Sequence, residues 1–313
     1  MIQTQTLFQI LTELGFGPKA IMDPRVYIPP KIRPEVKPYL SKEQQMALRP
    51  EDVLPGVRSI LVLGMPYRHE KTKGLPMATG ALSRDYHRVF EEKVDELAQR
   101  VNLERFQAYA DTGPLFDRYL ALASGLGFVG KNQNIIHPTY GSFFYIGYIL
   151  TTLDLRPTER EVFPGCGDCT LCLDACPAKA LGEKEFAFQR CISHLTQTKE
   201  LADEYKMFIN SLYGCDICQK VCPWNQSIQP SMKEFVPLDI MTGDDLFLLS
   251  KKDYDRKYGT KAFSWRPRTI IKRNAILNAT RRRDPSLQGL VLEERKKKNP
   301  YLEKYIAEYL AMR

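Results

Sequence analysis

Continuous apolar stretches and helically spaced apolar residues divide the first half of the chain into predicted elements. Segments 57–67 (VRSILVLGMPY) and 142–153 (SFFYIGYILTTL) are apolar without alternation, which predicts buried strands. Apolar residues recur at helical spacing over 4–15, 85–101 and 114–128, which predicts amphipathic helices. The last of these helices should end at the glycines near its C-terminus. The first 155 residues therefore predict a mixed α/β (α+β) core.

The rest of the chain changes character twice. Residues 156–230 are rich in loops and cysteine, whereas the chain beyond residue 235 looks helical, as in RTIIKRNAILNATRRR (268–283). We therefore predict three regions: an α/β domain over 1–155, a cysteine-rich module over 156–230 and a basic helical region over 231–313.

Charge is distributed unevenly along the 313 residues. Residues 251–313 contain 18 Lys or Arg and 7 Asp or Glu, whereas the preceding 250 residues contain 27 and 30. This basic region indicates a polyanionic partner, nucleic acid first, although a solvated helical surface would have the same composition. No apolar run is long enough to cross a bilayer and the N-terminus lacks the features of a secretory leader, so we expect a cytoplasmic protein.

All eight cysteines fall between residues 166 and 222. Disulfides are rare in the cytoplasm, so this clustering indicates metal ligands. The first run, Cys166-x2-Cys169-x2-Cys172-x3-Cys176-Pro, has the spacing of bacterial ferredoxins, in which three cysteines hold one 4Fe–4S cluster and the fourth binds the other cluster. Zinc is the alternative, but it needs neither the third cysteine nor the proline.

The second cysteine run is one ligand short. It gives Cys215-x2-Cys218-x3-Cys222-Pro, with Leu212 where a first cysteine would stand, and Cys191 is the remaining cysteine of the chain. A buried structural thiol is the alternative role for Cys191, but it would leave the second cluster incomplete. We predict one cluster on Cys166, Cys169, Cys172 and Cys222, and the other on Cys176, Cys191, Cys215 and Cys218.

Two further motifs carry weaker signals. GLGFVGKN (125–132) matches neither a P-loop nor a dinucleotide-binding turn, and its spacing favours a helix C-cap followed by a turn. In DTGPLFDR (111–118), Thr112 is the more natural N-cap, since Pro114 suits a first helical turn. Asp111 then has no obvious structural task, and it is either a turn residue or a general acid.

Taken together, these stretches resemble the epoxyqueuosine reductase family. The resemblance runs from about residue 49 to 278 and is carried by DYH (85–87), DTGPLFDR, GLGFVGKN, GCGDCTLCLDACPAKAL, QRCISHLTQTK, YGCDICQKVCPWN and SWRPRTIIKRNAI. It implies a nitroreductase-like, cobalamin-binding core and a ferredoxin-like module with two 4Fe–4S clusters. The implied substrate is tRNA that carries epoxyqueuosine at the wobble position of the anticodon stem-loop.

The resemblance also implies roles for single residues. Asp111 matches the family's proton donor, and cobalamin contacts fall on Arg49, Asp111, Arg118, Ile135, Ile146, Ser193, Cys215 and Asp216. DYHRVF (85–90) begins like the cobalamin-ligating D-x-H-x-x-G but has Phe90 for the glycine, so we expect base-off cobalamin without histidine on cobalt. Three features depart from the family. Ser83-Arg84 stands where a tryptophan is often found shortly before DYH, and Tyr148 stands where an acidic residue is common. Many relatives also continue into HEAT-like repeats, whereas the C-terminal region here has room for only a few helices.

The expected partners follow from the same hypothesis. Phosphate contacts are expected from basic residues near the clusters and in the C-terminal region: Lys199, Arg266, Arg268, Lys272, Arg273, Arg281, Arg282 and Arg283. We also expect an external electron donor such as a flavodoxin or ferredoxin system, a monomer, and no membrane contact.

Other functions would use some of the same parts. A corrinoid-dependent reductive dehalogenase usually carries an export signal and has no use for a basic C-terminal region. A non-catalytic ferredoxin-type electron carrier would leave the first 155 residues without a task. An RNA-binding protein with structural zinc would not need the ferredoxin spacing.

Overall fold

The computed structural model describes residues 3–32, 37, 40–67, 74–182, 185–226, 231–236 and 240–312. The chain divides into two compact units, each assembled from separate segments. The first comprises Met1–Arg68, Tyr86–Cys169 and Pro223–Phe235; the second comprises His69–Asp85, Thr170–Cys222 and Val236–Arg313. Because both units are discontinuous, the division of the chain at residues 155 and 230 stays a prediction.

A four-stranded antiparallel sheet organises the first unit, with strand order β1-β2-β6-β3. Its strands are β1 (Lys19–Met22), β2 (Ser59–Pro66), β3 (Phe106–Ala110) and β6 (Phe144–Thr151); a separate pair consists of β4 (Phe128–Val129) and β5 (Ile135–Ile136). Every residue of β2 is buried, which confirms the prediction from its continuous apolar run.

Helices cover both faces of this sheet. Its helices are α1 (Thr4–Glu13), α2 (Lys42–Gln45), α3 (Pro50–Val53), α4 (Tyr86–Val101) and α5 (Asp117–Ala123). Leu61 and Leu63 of β2 pack in the apolar cluster that includes residues of α1 and α4, whereas Ile60 and Val62 pack in the cluster that includes α5. Alternate residues of one strand thus face opposite layers, and the mixed α/β prediction is confirmed.

The helix predicted over 114–128 is shorter than expected. It begins at Asp117 with Phe116 at the N-cap, so the prediction that Thr112 caps it is wrong. The physical reason is that residues 111–116 form a separate loop, whose backbone N–H groups bond to side chains from other segments. At the other end, Gly125 has φ +74° just after the C-cap Ser124, which confirms the predicted glycine stop.

The second unit is mostly helical. Its helices are α6 (Leu171–Ala175), α7 (Ile192–Leu195), α8 (Ile217–Lys220), α9 (Gly243–Phe247), α10 (Lys251–Tyr258), α11 (Arg268–Arg282), α12 (Gln288–Lys296) and α13 (Pro300–Leu310). Helix α11 is at the centre: its residues 270–279 are all buried, and the unit's largest apolar cluster gathers side chains of α9 to α13 around it.

Within the described ranges, we find no helix that is both long enough and apolar enough to cross a membrane.

Candidate active site and cluster ligands

Asp111 lies at the end of strand β3, where the chain turns away from the sheet. It is exposed and adopts the left-handed conformation, with φ +60°. The Tyr86 hydroxyl donates a hydrogen bond to Asp111 Oδ2 at 2.8 Å. The Tyr86 ring is itself stacked on Tyr145, with 4.1 Å between ring centroids and 13° between planes. The carboxyl is therefore exposed to solvent, with its Oδ2 bonded to Tyr86.

Two buried tyrosines hold the loop that follows Asp111. The Tyr148 hydroxyl accepts the backbone N–H of Leu115 at 3.0 Å, and the Tyr27 hydroxyl accepts that of Phe116 at 3.1 Å. Tyr148 is 0% exposed and Tyr27 is 3% exposed. Burial is the main cause that raises the pKa of both phenols, so both hydroxyls stay neutral and can accept these bonds at neutral pH.

A third anchor comes from helix α2. Gln44 Nε2 donates to the carbonyl oxygen of Gly113 at 3.1 Å and lies 3.4 Å from that of Asp111. Three side chains remote in sequence thus fix the backbone of residues 111–116. This matters chemically, because a general acid has to stay within hydrogen-bond distance of the atom it protonates.

Asp117 and Arg118 follow the loop. Burial of its carboxyl, and then the nearby Asp111 carboxylate, raise the pKa of Asp117 to about 7. Arg118 is exposed, and its guanidinium donates to the carbonyl oxygen of Gln133 at 3.0 Å. Arg118 therefore holds the start of α5 against the segment between β4 and β5.

The other predicted cofactor contacts in the first unit have different environments. Arg49 is exposed at the N-cap of α3, Ile135 is buried in β5, and Ile146 is half-buried in β6. Asn132, three residues before Ile135, is 5% exposed, and its Nδ2 has no hydrogen-bond partner among the residues that the structure describes. An unpaired buried amide donor is costly unless a partner reaches it, which suits a ligand rich in amide groups.

The predicted cofactor contacts of the second unit are Ser193, Cys215 and Asp216. Asp216 is 6% exposed and accepts the backbone N–H of Thr79 at 2.5 Å. Lys220 Nζ lies 3.4 Å from the same carboxylate oxygen. Asp216 is therefore already well bonded within the protein.

The thiols assigned to the second cluster lie near enough to influence one another's pKa, although they do not form a ready-made metal-binding group within the described residues. Burial is the largest cause that raises the pKa of Cys191, of Cys215 to about 11 and of Cys218 to about 12, and neighbouring sulfurs add to each shift. Those neighbours include Cys176 in all three cases. Thiols this hard to ionise become thiolates when iron replaces their protons, so cluster binding should release protons.

Backbone N–H groups point at several of these sulfurs. The Ala180 N–H donates to Cys176 Sγ at 3.3 Å, and backbone N–H groups also bond to the sulfurs of Cys191 and Cys215. Such bonds favour the anionic form of sulfur and tune the reduction potential of a bound cluster.

The other four thiols are those assigned to the first cluster. Cys166 accepts the Lys131 backbone N–H at 3.4 Å, and the carbonyl of Cys166 accepts the Cys169 N–H at 3.1 Å. Cys172 and Cys222 are both buried in the second unit.

Three of the predicted RNA contacts are not available for phosphate, which corrects the prediction. Arg268 donates to the carbonyl oxygens of Asp245, Leu246 and Leu249 at 3.1, 2.8 and 2.9 Å, and so it caps the C-terminal end of α9. Its guanidinium also lies 4.2 Å from the centroid of the Tyr254 ring.

Lys272 and Arg273 are buried on the inner side of α11. Lys272 forms a 2.7 Å ion pair with Glu294, and both side chains are under 9% exposed. Arg273 is 0% exposed and donates to the carbonyl oxygens of Leu195 and Thr198 at 3.1 and 2.7 Å. These cations stabilise the helical unit and cannot contact RNA.

The remaining basic candidates are at the surface. Lys199, Arg281, Arg282 and Arg283 are exposed, and Arg266 is partly exposed. Arg281, Arg282 and Arg283 lie at the C-terminal end of α11, where the helix dipole also favours positive charge.

Sequence reasoning missed the residues that support Asp111. Tyr27, Gln44 and Tyr148 lie 89, 69 and 33 positions from their bonding partners, so local patterns contain no trace of them. Tyr148 alone gave a signal, because it departs from the family's usual acidic residue.

Cysteines with this spacing hold iron–sulfur clusters, which carry single electrons, and this defines the class as an iron–sulfur oxidoreductase. Two family models match the chain: "4Fe-4S double cluster binding domain" over residues 165–225 and "Epoxyqueuosine reductase QueG, DUF1730" over residues 48–112. Epoxyqueuosine reductases from Staphylococcus aureus and Lactococcus garvieae are 37% and 38% identical over 258 and 248 residues. The chain belongs to the epoxyqueuosine reductase family. The alignments cover 75% and 73% of this chain and 67% and 70% of those relatives.

Solved structures give the same answer. A crystal structure of epoxyqueuosine reductase with an epoxyqueuosine-modified tRNA-Tyr stem loop matches with a TM-score of 0.83 and 29% identity, covering 98% of this chain and 89% of that one. The epoxyqueuosine reductase from Bacillus subtilis, with its catalytic aspartate loop swung out of the active site, matches with a TM-score of 0.82, 28% identity and the same coverage.

Proposed function

We infer that this chain reduces epoxyqueuosine to queuosine in tRNA. The observation that carries this inference is the exposed Asp111 carboxyl on its anchored loop, in a chain that belongs to the epoxyqueuosine reductase family. Removal of the epoxide oxygen needs two electrons and two protons, and it yields an alkene and water. The electrons would come through clusters held by the chain's cysteines, and Asp111 would donate a proton to the departing oxygen.

We propose that the chain holds two 4Fe–4S clusters and base-off cobalamin in a nitroreductase-like core. The donor set of Cys176, Cys191, Cys215 and Cys218 supports this, since the four thiols influence one another's pKa and backbone N–H groups bond to three of them. The unpaired Nδ2 of buried Asn132 fits an amide-bearing corrinoid. When bound, these groups would supply single electrons and low-valent cobalt for the reduction.

The chain's own residues then manage the proton. Tyr86 occupies Oδ2 of Asp111, which leaves Oδ1 to carry the proton that is given to the departing oxygen. After the transfer, the Tyr86 hydrogen bond stabilises the carboxylate. Asp117, with a pKa of about 7 and close enough to interact with Asp111, is available to hold a proton at neutral pH.

The RNA would be held from the exposed basic residues alone. Lys199, Arg266 and the arginines at 281–283 remain candidates, whereas the buried cations of α11 do not. Anticodon-loop bases are unpaired and can be splayed into a protein pocket. We further propose an external flavodoxin or ferredoxin system as electron donor, and a monomeric enzyme.

Anaerobic reconstitution followed by an activity assay tests this function. We expect about eight irons per chain, binding of added cob(II)alamin with a base-off EPR signal, and conversion of an epoxyqueuosine anticodon stem-loop. Asp111→Asn should lower the rate by about 10²–10⁴-fold with the cofactor content unchanged. Asp154→Asn is the matched control, because it removes an exposed carboxylate that pairs with Arg58. Full cofactor content without conversion of the RNA would refute the proposed function, and iron without cobalamin binding would refute the cofactor assignment.

A further inference from the structure

Trp265 is a large aromatic side chain that the second unit holds at its surface. It is 60% exposed, and it directly precedes Arg266 in the segment before α11. Its indole Nε1 donates to the Tyr213 hydroxyl at 2.8 Å. This hydrogen bond restricts the orientation of an indole that is still largely exposed.

Arg266 covers one face of this indole. Its guanidinium carbon lies 3.6 Å from the centroid of the Trp265 ring. Its backbone N–H donates to the carbonyl of Phe263 at 3.1 Å, which fixes the turn that carries both side chains. Since the ring is still 60% exposed with the guanidinium on one face, the opposite face is accessible.

Arg266 also has spare hydrogen-bonding capacity. Its Nε is buried and has no hydrogen-bond partner within the ranges that the structure describes. Burial lowers the pKa of this guanidinium from its ordinary value, although it stays fully charged at neutral pH. Because the side chain as a whole is partly exposed, the charged guanidinium can still donate charge-assisted hydrogen bonds to a phosphate.

The position of this pair within the second unit links it to the predicted chemistry. Tyr213, which orients the indole, stands two residues before the cluster ligand candidate Cys215. Arg266 lies close enough to His194 to lower its pKa, together with the larger effect of burial. His194 directly follows the predicted cofactor contact Ser193.

We propose that Trp265 and Arg266 form a stacking platform for one unpaired base of the tRNA anticodon loop, with Arg266 also binding a phosphate next to that base. This proposal rests on the proposed function and adds the residues that read the RNA as single-stranded. Every base has a face that can stack on an indole, and an arginine beside the ring adds charge attraction to the backbone. The net positive charge of residues 251–313 favours RNA over an acidic or neutral protein surface.

Binding of an unmodified anticodon stem-loop RNA to the reconstituted enzyme tests the platform. Loss of one base stack corresponds to about 5- to 150-fold in affinity, so we expect Trp265→Leu to weaken binding at least about fivefold. Trp265→Phe keeps an aromatic face and should remain within about threefold of the parent. Arg266→Gln should also weaken binding and should reduce the salt slope by about 0.7. Leu292→Ala is the control, since it removes a 44% exposed apolar side chain of the same unit.

Two further measurements separate base stacking from general RNA binding. A fully paired RNA duplex should bind Trp265→Leu as well as it binds the parent, because paired bases cannot stack on the indole. A 2-aminopurine placed at successive loop positions should change its emission at one position with the parent enzyme and at none with Trp265→Leu. Equal affinity of Trp265→Leu and the parent for the stem-loop would overturn the platform alone. Failure of the parent to bind the stem-loop would overturn the proposed function as well.

Discussion

The anchoring of the Asp111 loop can be tested by removing one oxygen atom. Tyr148→Phe keeps the buried ring but deletes the hydroxyl that accepts the Leu115 N–H at 3.0 Å. Leu115 is 1% exposed, so water cannot easily replace this acceptor. The loop is also close-fitting at this point, because a Cβ added to Gly113 would collide with the Tyr148 hydroxyl.

The expected magnitude follows from the bond that is lost. A buried donor left without its acceptor costs about 1–3 kcal/mol, which is about 5- to 150-fold in a two-state equilibrium. Gln44 and Tyr27 still hold the loop, so we expect the lower half of that range, a fall in kcat of about tenfold. KM for the RNA should not change, because Tyr148 is 0% exposed and cannot contact substrate.

The assay is single-turnover reduction of an epoxyqueuosine stem-loop by the pre-reduced enzyme, together with hydrogen exchange at the Leu115 amide. Tyr109→Phe is the matched control, since the Tyr109 hydroxyl donates to Gln107 and not to the loop. In an Asp111→Asn background, Tyr148→Phe should have almost no further effect on the rate. An unchanged rate despite faster exchange at Leu115 would refute the argument, and so would an equal loss in the Asp111→Asn background.

Three further outcomes are expected. Cys191→Ser should reduce iron from about eight to about four per chain, measured by iron analysis and EPR; retention of all the iron would refute the ligand assignment. Arg273→Met leaves the carbonyls of Leu195 and Thr198 unpaired in the core. Urea denaturation should therefore show that the free energy of unfolding falls by about 3–5 kcal/mol. Unchanged stability with weaker RNA binding would instead support the original prediction that Arg273 contacts phosphate. Asp117→Asn should gain stability relative to the parent as the pH rises from about 4 to about 7. The reason is that the raised pKa of Asp117 makes its ionisation in the folded parent unfavourable, whereas asparagine does not ionise. The measurement is the urea midpoint of both proteins, and a difference between them that is equal at both pH values would contradict this.

The main strands and helices of the core could be predicted because their signal is local. An unbroken apolar run marks β2, and helical spacing marks α4 and α11. Strands β1 and β3 gave no such signal, since they have only four and five residues and lie at the two edges of the sheet, and most residues of β3 are only partly buried. The two discontinuous units were also beyond reach, because they depend on which distant segments pack together.

The candidate site shows the same difference between local and long-range information. Cysteine spacing in the sequence is enough to propose ligand sets for two clusters, because cluster geometry restricts the spacing. The position of Asp111 depends instead on hydroxyl and amide groups contributed by distant segments. Tyr148 shows why a neutral acceptor suits this position. Its hydroxyl accepts the backbone N–H of Leu115 without adding a negative charge. An acidic residue there would add to the repulsion between Asp111 and Asp117.

The prediction of phosphate contacts from basic composition was the least accurate. An arginine that caps a helix or fills a gap among buried carbonyls has the same letter as one that binds phosphate, and Arg268 and Arg273 both belong to the first kind. What separates the two is whether unpaired carbonyl oxygens lie within the side chain's range, and that is set by tertiary packing. The salt dependence of RNA binding should therefore reflect only cations that remain at the surface, such as Arg266 and the arginines at the exposed end of α11, and not the buried cations that contribute to the net charge of residues 251–313.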